Sequence, residues 1–264
     1  MTDAIFEPEN GRFLPTARAC SPWADNLLHG GPPAGLLARA IERLAGDSAM
    51  HLSRLTVDLF RLIPVAPLEV TARSVRQGRR IHAIEASLLV DGVEICRASG
   101  LLLRRSADPE LAVNGTKENH PGPDGIEITS VSGRVSSTAP LREGFHTTVE
   151  ARWVKQRPES GPAIVWLRIP VPFVAGEATS PLVRVAALSD FVNALSGGGH
   201  RGDMGFINAD STLYLHRAPI GEWICFQADR ALSTGGLGVA TAALYDIDGP
   251  IGRATQAVLA NPVR

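Results

Sequence analysis

The sequence predicts an α+β protein made of two copies of one unit, each a central helix wrapped by an antiparallel β-sheet. Three observations carry this prediction. Apolar residues alternate with a period of two in runs such as Leu55, Val57, Leu59 and Ile84, Ala86, Leu88, which marks half-buried strands. The runs are joined by hairpin signals such as Asp91-Gly92, whose residues tolerate positive φ. The pattern then repeats in register. Leu59-Phe60-Arg61 matches Leu215-His216-Arg217, Pro64 matches Pro219, Asp91-Gly92 matches Asp248-Gly249, and Arg97-Ala98-Ser99 matches Arg253-Ala254-Thr255, all at separations of 155 to 157 residues. Two such copies can pair edge to edge into one sheet that holds both helices and hides sticky edges.

The elements follow in order. Ile5 to Pro15 reads as one strand. After Trp23 and His29-Gly30-Gly31, apolar residues at Leu36, Leu37, Ala40, Ile41 and Leu44 form the stripe of an amphipathic helix that Gly46 ends. Four strands are expected at Leu52–Leu62, Leu68–Arg76, Ile81–Val90 and Glu94–Arg104. From Ser106 to Gly144 the chain is rich in proline and glycine and loses its periodicity, as a connection would. The boundaries read as 1–105 for the first unit, 106–144 for the connection and 145–264 for the second unit. The second unit opens with strands at His146–Val154 and Ala163–Ile169. A helix at Ser180–Ser196 follows, then strands at Phe206–His216, Glu222–Ala231, Leu237–Asp246 and Ile251–Ala260. That second helix is apolar around its whole circumference, so it is expected inside the domain. It nevertheless carries Asp190. A buried carboxylate needs compensation, and desolvation alone would raise its pKa toward the range of a general base.

Composition excludes several classes. A net charge of −1 over 264 residues offers nothing to nucleic acid. No apolar run approaches the roughly 20 residues that span a bilayer, and the start lacks the pattern of a signal peptide, so no membrane insertion is expected. Cys20, Cys96 and Cys225 are odd in number, far apart and in no zinc spacing, which points to reduced thiols and a cytoplasmic setting. No metal site is expected. A GxSxG elbow, a Walker loop, a Rossmann fingerprint and HExxH are all missing from the sequence.

Trp23 with His29-Gly30-Gly31 ahead of the first helix, Leu188-Ser189-Asp190-Phe191 in the second, Leu215-His216-Arg217, Gly221-Glu222-Trp223 and Ala254-Thr255-Gln256 occur in an order that resembles the type II acyl-CoA thioesterase (TesB-like) family. The resemblance spans nearly the whole chain and is weakest in the connection. It implies a double hotdog fold and hydrolysis of fatty acyl-CoA to free fatty acid and CoA. It also implies a water activated by Asp, Ser or Thr, and Gln. The matching positions are Asp190, Asn208 and Gln256. Asn208 departs from the family pattern: its amide can orient water but has no hydroxyl proton to relay. Ser211 and Thr212 are the nearest hydroxyls. Gln256 stands where the first copy has Gly100, and Arg39 stands near the place of Asp190, so one hydrolytic centre per chain is expected, in the cleft between the helices.

His29, Gly30 and Gly31 are the substrate-binding candidates, since amides at a helix start can polarise a thioester carbonyl. Arg76, Arg79 and Arg80 form a basic hairpin tip that could meet CoA phosphates or simply be solvated. No cofactor is required, because coenzyme A belongs to the substrate and activates the ester. The expected partners are acyl-CoA and a second copy in a homodimer. Two other functions fit parts of the pattern. One is an enoyl-CoA hydratase using Asp25 and His29; the other is an acyl-CoA binder that has lost catalysis, which Asn208 would favour.

Overall fold

The computed structural model describes residues 3–47, 49–106, 120–131, 142–156, 162–197 and 204–262. Most of the connection therefore lies outside the described residues. The elements, in order, are β1 (Phe6–Glu9), β2 (Arg12–Pro15), α1 (Gly31–Ala45), β3 (Met50–Leu59), β4 (Glu69–Gln77), β5 (Ile81–Val90) and β6 (Val93–Arg104). Then come β7 (Thr129–Ser130), α2 (Phe145–Thr148), β8 (Glu150–Lys155), β9 (Ala163–Arg168), α3 (Pro181–Leu188) and α4 (Val192–Leu195). The chain closes with β10 (Met204–Asn208), β11 (Asp210–Leu215), β12 (Ile224–Leu232), β13 (Leu237–Asp246) and β14 (Gly249–Pro262).

Among the described residues, twelve strands form one sheet in the order β4-β5-β6-β3-β11-β14-β13-β12-β9-β8-β7, with β10 also on β14. Every pairing in it is antiparallel. The two copies join at β3 and β11, where Thr56 faces Thr212 and their hydroxyls lie 3.2 Å apart. These two residues are separated by the repeat length itself, so a pseudo-twofold axis passes between them. The sheet wraps α1 and α3–α4, and the inward residues of both copies form one continuous apolar core. This is the double hotdog architecture.

Three local expectations change. Ile5–Pro15 is a hairpin, because Asn10 and Gly11 take positive φ (49° and 80°) and turn the chain. His146–Val154 begins as the short helix α2, since the Thr147 hydroxyl accepts from the Gly144 N–H and the Thr148 hydroxyl donates to the Gly144 carbonyl. The second helix is not continuous. Ser180 caps it by accepting from the Val183 N–H, but at Ser189–Phe191 it tightens into a 3-10 turn. The Ser189 hydroxyl donates back to the Ala186 carbonyl at 2.7 Å, which competes with regular α-helix geometry.

α1 and α3 pack closely and run in opposite directions. A Cβ on Gly31 would lie 2.4 Å from the Ala187 carbonyl oxygen, so only glycine lets the start of α1 meet the end of α3. The break in the second helix is thereby set against the N-terminus of α1.

Candidate active site

Asp190 sits at the centre of that break. Its side chain is 9% exposed and lies directly on the backbone of Gly30, where an added Cβ would fall 2.8 Å from Oδ1. Gly30 is thus required by the carboxylate. Oδ2 lies 2.8 Å from His29 Nδ1, and Oδ1 accepts from Asn208 Nδ2 at 2.9 Å. The Gly31 N–H also bonds to the carboxylate. The same N–H lies 3.2 Å from His29 Nδ1, but an ionised Asp190 needs Nδ1 as a donor, so the network assigns the imidazole proton to Nδ1.

This arrangement corrects the expected pKa direction. Burial pushes the Asp190 carboxyl up, yet the neighbouring His29 imidazole and its hydrogen bond, the Asn208 amide and the Gly31 N–H outweigh burial and hold it below the usual carboxylate range. Asp190 is an anchored anion.

Asn208 reaches Asp190 because the second copy breaks its strand at Ala209, between β10 and β11, where Asp210 Oδ1 accepts from the Ala257 N–H. The first copy has a register shift at the same place, between Leu52 and Arg54. Gln256 is fully buried on β14, but it faces the helix backbone and not the carboxylate. Its Oε1 accepts from the Asn193 N–H at 2.8 Å, and its Nε2 donates to the carbonyls of Ser189 (3.2 Å) and Asp190 (3.4 Å). It braces the break, which differs from the expected water-orienting contact.

His29, Gly30 and Gly31 all converge on Asp190. The His29 ring is flanked by Phe145 at 5.3 Å and Phe191 at 4.8 Å, centroid to centroid. Ser211 bonds Ser189 at 3.1 Å and Thr212 lies on the copy junction, so neither replaces Asn208. Asp25, the hydratase candidate, is exposed and pairs with Arg142; His29 takes its carboxylate from the second copy. Arg39, near the pseudo-equivalent of Asp190, makes a bidentate pair with Glu177 at 2.8 and 2.6 Å. Among the described residues, no three His, Cys, Asp or Glu side chains group as metal ligands, and no helix is long and apolar enough to cross a membrane.

His146 was not anticipated as part of this neighbourhood. It is 3% exposed, neither ring nitrogen has a hydrogen-bond partner among the described residues, and burial followed by the charge of His29 pushes its pKa down to about 4. An unfolded histidine binds its proton near pH 6.5. Between these values the unfolded chain holds more protons, so stability falls as pH drops from 6.5 to about 4 and levels off below. Urea midpoints for His146→Phe should lose this segment of the pH profile, for which a few kcal/mol is the ceiling. An unchanged profile would remove His146 as its source.

Residues 120–260 match the family model for the acyl-CoA thioesterase C-terminal domain, and residues 20–103 match that for the N-terminal domain. A search of curated proteins found no match. Among solved structures, a tesB protein of Mycobacterium avium subsp. paratuberculosis is 16% identical with a TM-score of 0.69, covering 97% of this chain and 96% of the other. A hot dog fold protein of unknown function from Alicyclobacillus acidocaldarius is 17% identical with a TM-score of 0.71, covering 98% and 97%. The acyl-CoA thioesterase II TesB2 of Mycobacterium marinum is 15% identical with a TM-score of 0.66, covering 88% and 89%.

Proposed function

The chain belongs to the acyl-CoA thioesterase family and is a thioester hydrolase; on that premise we propose that it hydrolyses fatty acyl-CoA to fatty acid and CoA at Asp190. The observation that carries this reading is the largely shielded Asp190–His29 pair, assembled from both copies at the start of α1. The anchored carboxylate accepts the Nδ1 hydrogen bond, which leaves Nε2 as the base once the ring has given up its second proton. Nε2 takes a proton from water, the hydroxide attacks the thioester carbon, and the C–S bond breaks. The imidazolium then returns its proton to the departing thiolate. Asn208 fixes the carboxylate, and Gln256 fixes the backbone that presents it. The amides at Gly30 and Gly31 are the proposed donors to the developing oxyanion, the Gly31 N–H turning from the carboxylate as substrate enters. No cofactor takes part in this scheme.

The test is thiol release from short, medium and long acyl-CoAs. Release from fatty acyl-CoA is expected, and no release above background at any chain length would overturn the reading. The cytoplasmic setting belongs to the same proposal and is supported by the free thiols of Cys20, Cys96 and Cys225. So does the homodimer, supported by the apolar outer row Leu237, Leu259 and Ile207 across β13, β14 and β10. Light scattering should give twice 28.0 kDa, and a monomer mass would refute the dimer.

A further inference from the structure

A cavity of about 340 Å³ lies at the opposite end of α1 from Asp190, between the last turn of α1, the start of α3 and β3. By helix rise, about 1.5 Å per residue, the two ends of α1 are roughly 20 Å apart. The pseudo-twofold explains why a cavity is there. Ile41 and Ala45 on α1 correspond to Phe191 and Leu195, Leu182 to Pro32, Leu102 to Val258, and Leu215 to Leu59. The cavity lies where the pseudo-twofold places the first copy's counterpart of the Asp190 site: Leu52 stands in place of Asn208, and His51, which also lines the cavity, spends Nε2 on the Leu215 carbonyl at 2.9 Å. Ala40 stands in place of Asp190, with its neighbour Arg39 tied to Glu177, and Gly100 stands in place of Gln256, with Ile41 and Leu52 packed so closely that an added Cβ would fall 2.8 Å from Ile41 and 3.1 Å from Leu52.

What remains is an apolar cleft lined by Ile41, Ala45, Leu52, Leu102, Leu182 and Leu215, with a volume at the lower end of small-ligand pockets, about 300–1,000 Å³. Arg105 lines it and also borders an open depression formed with Arg79, Arg80 and Arg104. Arg76 extends this basic surface along the β4–β5 turn. All five arginines are exposed. Glu42 and Asp47 lie on the helix side of the cleft, and Arg104 bonds Asp47 at 2.7 Å. Positive charge therefore prevails at the mouth that faces away from the helix. An apolar slot with several guanidinium groups at its mouth matches a ligand with an alkyl tail and several phosphates.

We infer that this cleft is a second, non-hydrolytic acyl-CoA site, with the acyl chain between α1 and β3 and the phosphates on Arg79, Arg80 and Arg105. The inference takes its ligand chemistry from the proposed substrate but does not depend on hydrolysis. Calorimetric titration with S-decyl-CoA, a thioether that cannot be hydrolysed, is expected to give two equivalents per chain. Arg79→Glu with Arg80→Glu should weaken one of the two at least tenfold, and Ala45→Trp should abolish it. Thiol release by these variants should retain the wild-type kcat. The arginine variant alters exposed side chains, so the test survives even if Ala45→Trp does not fold. One equivalent or none in the wild type, or two that neither variant affects, would overturn the inference. Equal binding of decanoate, insensitive to the arginine variant, would refute the phosphate assignment. Failed thiol release with two equivalents bound would sink the hydrolase mechanism and leave this site standing.

Discussion

Asp190→Asn is expected to lower kcat by roughly 10³–10⁴ while changing KM little. Asparagine fits the same space on Gly30, so the fold is kept. It cannot offer two anionic oxygens, however. Asn208 Nδ2 already requires an acceptor at one of them, 2.9 Å away, so the new amide must turn its own NH2 toward His29. His29 Nδ1 then becomes the acceptor and Nε2 carries the proton. The base is lost with no change of shape. His29→Gln should cost a similar factor, and the double variant should cost little more than either single, because the pair acts as one unit. If the two losses multiplied, Asp190 and His29 would be acting separately, and the paired mechanism would fall. Steady-state kinetics on the three variants decides the matter.

The sequence showed where this chemistry would gather but not how the groups would face one another. Asp190 was conspicuous because nothing apolar explains a carboxylate on that helix. His29-Gly30-Gly31 was conspicuous as a glycine-led helix start. That the two form one pair follows from the pseudo-twofold, which brings residues 161 positions apart into contact at 2.8 Å, and spacing along a chain does not reveal that. The same distance in sequence hid the direction of the Asp190 shift. Burial was legible, whereas the donors that outweigh it come from β10 and the start of α1. The helix break had a local signal in Ser189, a hydroxyl able to bond back to the preceding turn. Gln256, which braces the break, belongs to a strand far away in sequence. Strand positions fared better, since alternation and Asp-Gly turns are local properties. The N-terminal hairpin has an equally local signal in Asn10-Gly11, a strong turn pair that divides Ile5–Pro15 into two strands.

Arg217→Met is expected to destabilise the fold by about 3–5 kcal/mol, a large part of a typical domain's 5–15 kcal/mol. The reason lies in Asp246, whose side chain is fully shielded from solvent. Arg217 holds both its oxygens, and the N–H groups of Ile220 (2.7 Å) and Asp248 (2.9 Å) complete the shell. Burial pushes this carboxyl up, but the arginine and the two amides hold it below the ordinary range. The resulting stability is present above the unfolded value near 3.9 and is lost as pH falls through the folded value beneath it. Without Arg217 the carboxylate keeps two amides and loses its countercharge. The cost should therefore be full at pH 7 and should shrink on acidification, as a protonated Asp246 no longer needs a cation. The first copy supplies the control. At the position of Asp246 it has Val90, buried and apolar, while its matching Arg61 is exposed. Arg217→Met combined with Asp246→Val should accordingly recover most of the loss, because the buried ion pair stabilises far less than its rupture destabilises. Urea midpoints for the single and double variants at pH 7 and pH 5 measure both effects. A double variant no more stable than Arg217→Met would mean that the arginine acts through its contact with the Gly249 carbonyl, and not through the buried charge.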